Sequence, residues 1–122
     1  MNKYHLVCLF FTTIVIQCHN IDNNHIVFNI DNFLGVDTIY YDNGCPNEIY
    51  IFYKNEYTKL ITFYETGDKQ TIGYFYKGKA QGTTNAYYKS GNLAKKIDFV
   101  SGKHHGKYVE YYEKTGAKRT SM

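Results

Sequence analysis

The stretch FYETGDKQTIGYFYKGKAQG (63–82), set above YYKSGNLAKKIDFVSGKHHG (87–106), decides the fold of this chain. Tyr64 falls on Tyr88, Gly67 on Gly91, Phe75 on Phe99, Gly78 on Gly102, Lys79 on Lys103 and Gly82 on Gly106, every pair 24 residues apart. The unit restarts in GKYVEYYEKTG (106–116), with one extra residue before the glycine. It has a weaker copy upstream in YYDNGCPNEIYIFYKNE (40–56), at an offset of 23, where Asn55 replaces the later glycine. A period of this length is the mark of a repeat architecture. Each unit reads as a hairpin: a strand ending in paired aromatics, a glycine turn such as Lys89-Ser90-Gly91-Asn92, a second strand such as Lys95–Val100, and a second turn at Ser101-Gly102-Lys103. Glycines at fixed positions supply the positive φ that hairpin turns demand.

Composition agrees. The chain has 122 residues, enough for one small domain, and carries 14 Tyr and 8 Phe with no Trp and one Pro. Aromatic and β-branched residues favour the pleated surface of a sheet. Along the last long strand Lys107, Val109 and Tyr111 alternate with Tyr108, Glu110 and Tyr112, which puts aromatics on both faces. That pattern predicts an all-β protein, an elongated single-layer antiparallel sheet of stacked β-hairpin repeats, rather than a sandwich with one dry face. Isolated hairpins are marginal in water, and stacked ones support each other.

Tyr-Tyr-x-x-Gly, about ten residues, then Gly-Lys-x-x-Gly resembles the bacterial variant of the MORN repeat, best in Tyr87–Gly106 and again from Tyr111-Tyr112 to Gly116. The resemblance covers 63–116 well and 40–56 loosely. The sequence departs from the family where Thr84 stands in place of an aromatic and where the first unit lacks its second glycine. The resemblance implies an elongated antiparallel sheet of hairpins. It also implies a role as a scaffold for proteins or membranes, or as an antitoxin-like protein, with no catalytic residues.

The first residues read differently. MNKYHLVCLFFTTIVIQCHN has Lys3 ahead of an apolar run from Leu6 to Ile16, too short for a membrane anchor of roughly 20 residues and fitting a secretory signal peptide. Val15-Ile16-Gln17-Cys18 resembles a bacterial lipoprotein signal, in which Cys18 is lipidated, although Gln17 stands where such signals carry a small residue. Ordinary cleavage near Cys18 is the alternative. The expected organisation is a signal peptide over 1–18, of ordinary or lipoprotein type, a lead-in or cap over 19–36, and about three to four hairpin units over 37–122. If Cys18 is lipidated, Cys45 has no thiol to pair with; otherwise a Cys18–Cys45 bridge is open.

The formal charge of +3 does not point to nucleic acid, but it is unevenly spread. Residues 19–86 carry five Lys against eight Asp or Glu, and residues 87–122 eight Lys or Arg against three acids. The basic stretch offers Lys95, Lys96, Lys103, Lys107, Lys118 and Arg119 to an anionic surface.

His104 and His105 are adjacent, so on a strand they face opposite ways, and no ligand spacing surrounds them. They read as the variable pair of a turn, and no metal or cofactor is expected. Asp98 and Glu110 read as salt-bridge partners among lysines, and no nucleophile–base pattern suggests an enzyme. The better candidates are Tyr87, Tyr88, Tyr108, Tyr111 and Tyr112, a stripe of rings suited to a protein interface. The sequence therefore predicts an exported, membrane-tethered, non-catalytic module that binds a protein. Its alternatives are an antitoxin-like protein that binds a toxin and a module that binds an anionic membrane surface through its basic C-terminal half.

Overall fold

The computed structural model describes residues 32–121, and these form one open antiparallel sheet. Its strands are β1 (Phe33–Tyr40), β2 (Pro46–Tyr53), β3 (Tyr57–Phe63), β4 (Lys69–Tyr76), β5 (Lys79–Ala80), β6 (Gly82–Tyr87), β7 (Leu93–Val100), β8 (Lys103–Tyr111) and β9 (Lys118–Ser121). Spatial order follows chain order, β1-β2-β3-β4-β6-β7-β8-β9, with the short β5 also on β4. This is the single-layer hairpin sheet that the repeat predicts. β1 begins at Phe33, so the end of the stretch read as a lead-in is already sheet. Residues 1–31, which hold the segment expected to be a signal peptide and Cys18, lie outside the described residues.

Two kinds of turn alternate along the sheet and so build two different edges. At one edge Tyr41, Tyr64 and Tyr88 each open a three-residue turn that closes on glycine. The N–H groups of Gly44, Gly67 and Gly91 donate to the carbonyls of Tyr41, Tyr64 and Tyr88 at 2.9–3.0 Å. Each of these glycines has φ between 85° and 91°, the left-handed residue that ends a three-residue hairpin loop. Tyr112 opens a fourth turn, one residue longer, closed by Gly116. At the other edge Lys77-Gly78 and Ser101-Gly102 are two-residue turns with φ of 49° and 76°, then 49° and 81°. Positive φ at both positions is the type I′ geometry whose twist matches paired strands. In the weak copy Asn55 stands at φ 63°, a conformation that asparagine tolerates better than most residues.

His104 and His105 are not in a turn. The turn is Ser101-Gly102, and both histidines are exposed residues of β8. The second glycine of Gly-Lys-x-x-Gly is not a turn residue either. Gly106 has φ 103° and sits in β8 where its pairing with β7 slips between Ile97–Tyr108 and Phe99–His104. Gly82, at φ 86°, opens β6 one residue past β5, where the pairing with β4 slips between Phe75–Ala80 and Ile72–Asn85. These glycines make bulges, where extra residues on one strand need a backbone that L side chains resist.

One face of the N-terminal strands is apolar. Ile49, Ile51, Ile61 and Phe63 are buried, with Val36, Tyr53 and Ile72 packed against them. The repeat then loses this character: Ile49 and Ile72 give way to Lys96 at the equivalent place, and Ile61 gives way to Asn85 before Val109 restores it. The core therefore belongs to β1–β4. The C-terminal hairpins depend more on hydrogen bonds.

Candidate functional site

Those hydrogen bonds run between units. The Tyr41 hydroxyl donates to the Phe63 carbonyl at 2.7 Å, Tyr64 to the Tyr87 carbonyl at 2.8 Å, and Tyr88 to the Tyr111 carbonyl at 2.8 Å. Asn43 and Asn92 amides donate to the carbonyls of Glu65 and Glu113 at 3.0 and 2.9 Å. Each unit thus reaches the next along the three-residue-turn edge. The other edge is laced as well: Lys77 N–H donates to the Glu56 carbonyl, Gly102 N–H to the Ala80 carbonyl, and Ser101 N–H to Gln81 Oε1.

The five tyrosines expected to form one stripe are divided. Tyr88 is a rung of the ladder, and Tyr87 and Tyr111 supply the carbonyls of two rungs. Tyr112 is exposed at 51%, with the Arg119 guanidinium 5.7 Å above its ring. Tyr108 lies on the opposite face from Tyr111, where its hydroxyl donates to Glu110 Oε1 at 2.5 Å. Lys95 completes that group with an ion pair to Glu110 at 3.3 Å. The carboxylate therefore sits below its usual pKa, through the Tyr108 hydroxyl first and the lysine second. Lys95 is pushed up chiefly by its hydrogen bond to Glu110, and Tyr108 likewise. Tyr50 and Glu48 repeat the motif on β2, at 2.6 Å.

The six basic candidates are dispersed too. Lys95 and Lys96 project from opposite faces of β7. Lys103 starts β8 beside the two-residue turn, and Lys107 lies past the Gly106 bulge. Lys118 and Arg119 belong to β9 at the other edge. Asp98 serves the bulge: Oδ1 accepts from the Thr83 hydroxyl at 2.7 Å and Oδ2 from Lys107 N–H at 3.2 Å. Its pKa is lowered, first by the Thr83 hydroxyl and then by the Lys107 amide. A Cβ at Gly106 would stand 3.3 Å from Asp98 Oδ2. His104 meets the Tyr108 ring edge-on at 6.1 Å. Cys45 is buried, with Tyr40 and Tyr41 packed against it. Among the described residues no three His, Cys, Asp or Glu side chains converge to hold a metal ion.

A different set of aromatics comes together on β3 and β4, on the same face as the isoleucine core. Tyr57 and Tyr76 are a cross-strand pair with ring centroids 4.7 Å apart and planes tilted by 34°. Lys59 pairs with Tyr74, its ammonium 5.8 Å from the ring, and Lys77 lies 5.4 Å from the Tyr76 ring. Tyr57, Tyr74 and Tyr76 remain 46%, 41% and 37% exposed. Tyr53 lies beneath them against the core, its hydroxyl pKa pushed up by burial. These residues stand outside the stripe read from sequence. The available signal was the alternation Tyr74-Phe75-Tyr76 opposite Tyr57, legible only once the register of β3 on β4 is known.

Charge is sorted by edge rather than by chain half. Lys54, Lys77, Lys79 and Lys103 collect around the two-residue turns with Glu56 as the acid among them. The three-residue turns mix Asp42, Glu65, Asp68 and Glu113 with Lys69, Lys89, Lys114 and Lys118. A shallow cleft at that second edge is lined by Tyr40, Tyr41, Asp42, Asn43 and Glu65.

The chain matches no family model and no curated protein. Among solved structures it is similar to part of the crystal structure of TarM, with a TM-score of 0.52 and 9% identity over 93% of this chain. The chain spans 21% of TarM's length. At that identity the likeness shows the fold alone.

Proposed function

We propose that this chain is a non-catalytic, MORN-like protein-binding module, exported and tethered at the cell envelope. The observation that carries the reading is the display of aromatic and apolar side chains on the two faces of an open sheet. Tyr57, Tyr74, Tyr76, Phe52, Ile39 and Leu34 are all at least 37% exposed. Aromatic anchors of this kind supply contact area at low entropic cost and dominate protein interfaces. The 23–24-residue hairpin unit with its tyrosine turns supports the MORN-like assignment. The apolar run Leu6–Ile16 supports export.

Cross-linking of the full chain in its native envelope, followed by mass spectrometry, tests the binding reading. A discrete protein partner that survives salt well above 0.15 M supports it, because exposed charge is screened there over about 8 Å while ring packing persists. Recovery of lipid alone would remove it. Peptide mapping of the mature chain tests the tether. Acyl mass on Cys18 supports it, and a Cys18–Cys45 disulfide excludes it, because one sulfur cannot carry both.

A further inference from the structure

The two-residue-turn end of β3 and β4 carries exposed rings and cations side by side. Tyr57, Tyr74 and Tyr76 share one face, and Lys59 and Lys77 already cover two of those rings. Lys79, paired with Tyr76 across the turn, adds a cation to the same face. The acid in this corner is Glu56, which sits 3.6 Å from Lys77 with both side chains solvated, a pairing of little strength. The corner is therefore aromatic and net positive.

We propose that this corner is the docking surface for a partner protein with a carboxylate-rich segment, an inference that rests on the protein-binding reading above. Charge complementarity selects the sign of the partner. The rings select its class. A lipid headgroup layer or a phosphate polymer would be satisfied by the lysines and leave Tyr57 and Tyr76 unused. A protein segment places apolar side chains on the ring faces while its carboxylates meet the ammonium groups. Rim lysines set the on-rate and its salt dependence, and the packed rings set the lifetime of the complex.

The test uses the full chain and a short fluorescein-labelled peptide repeating Glu-Asp-Leu, with a Gln-Asn-Leu peptide and phosphatidylglycerol-containing vesicles as separate arms, read by anisotropy and co-sedimentation. The acidic peptide is expected to bind at least about tenfold more tightly than its amide counterpart. Tyr57→Ala/Tyr76→Ala is expected to weaken it about tenfold. Lys59→Gln/Lys79→Gln, a surface change that leaves the fold alone, is expected to do the same, and Tyr112→Ala to change nothing. If the alanine pair fails to fold by circular dichroism, the lysine pair decides. Equal binding of native and lysine-variant chains overturns the proposal, as does vesicle binding without peptide binding. A cross-linked partner still held by Tyr57→Ala/Tyr76→Ala overturns this corner and leaves the protein-binding reading standing. Absence of any protein partner in the envelope removes both.

Discussion

Tyr88 and Tyr112 show how much a single position in a repeat can change its work. Both open a turn that closes on glycine, the Tyr112 turn being one residue longer. Tyr88 donates to the Tyr111 carbonyl of the next unit, whereas among the described residues no carbonyl receives the Tyr112 hydroxyl. Tyr88→Phe leaves a part-buried carbonyl unpaired and is expected to cost about 1 kcal/mol in urea unfolding. Tyr112→Phe is expected to change stability by less than about 0.5 kcal/mol; equal effects of the two would sink the ladder argument. The carboxylates give a second residue-scale expectation. Asp98 and Glu110 are both held below their ordinary pKa in the fold, so their stabilisation is complete above about pH 4.5 and is lost as pH falls through the lowered values. Thermal melts of Asp98→Asn/Glu110→Gln should start lower at neutral pH and fall less in acid than those of the native chain. Lys95 and Tyr108 shift upward, so their contribution is lost only as pH rises through those raised values.

At the scale of the element, turns and bulges impose different demands on residues that look alike in sequence. Ser101 holds φ 49° in a type I′ turn that asparagine suits better. Ser101→Asn is expected to raise stability by a few tenths of a kcal/mol, seen as a higher midpoint in urea. Gly106→Ala should do the reverse, costing about 1–3 kcal/mol, because φ 103° is disfavoured for any L side chain and the new methyl would crowd Asp98. A neutral Gly106→Ala would mean that the bulge can flatten. The spacing of these glycines was fully legible in the sequence, because left-handed backbone favours glycine over any L side chain. Their separate roles were not: turn and bulge both ask for the same residue. For that reason the histidine pair, which follows a turn glycine and precedes a bulge glycine, read as part of a turn although it begins a strand.

For the molecule as a whole, stability is unevenly distributed. Apolar burial is concentrated in β2 and β3, where Ile51 is 1% and Phe63 3% exposed, and the last hairpins are joined mainly by hydrogen bonds between neighbouring units. Repeat sheets of this kind open by units, so amide exchange is expected to be slowest in β2 and β3 and fastest in β8 and β9. Uniform protection along the sheet would contradict that picture. The sequence by itself determined the hairpin period, the spacing of the glycines and the all-β single-layer class, because these follow from local backbone conformation and from strict spacing. Only the tertiary structure decided which tyrosines are rungs of the ladder and which stand exposed. A tyrosine is encoded alike in both cases, and its fate depends on the strand that register places beside it. The same holds for charge. Lys54, Lys77 and Lys79 belong to the acidic part of the chain, yet folding back every 23–24 residues carries them to one edge with Lys103.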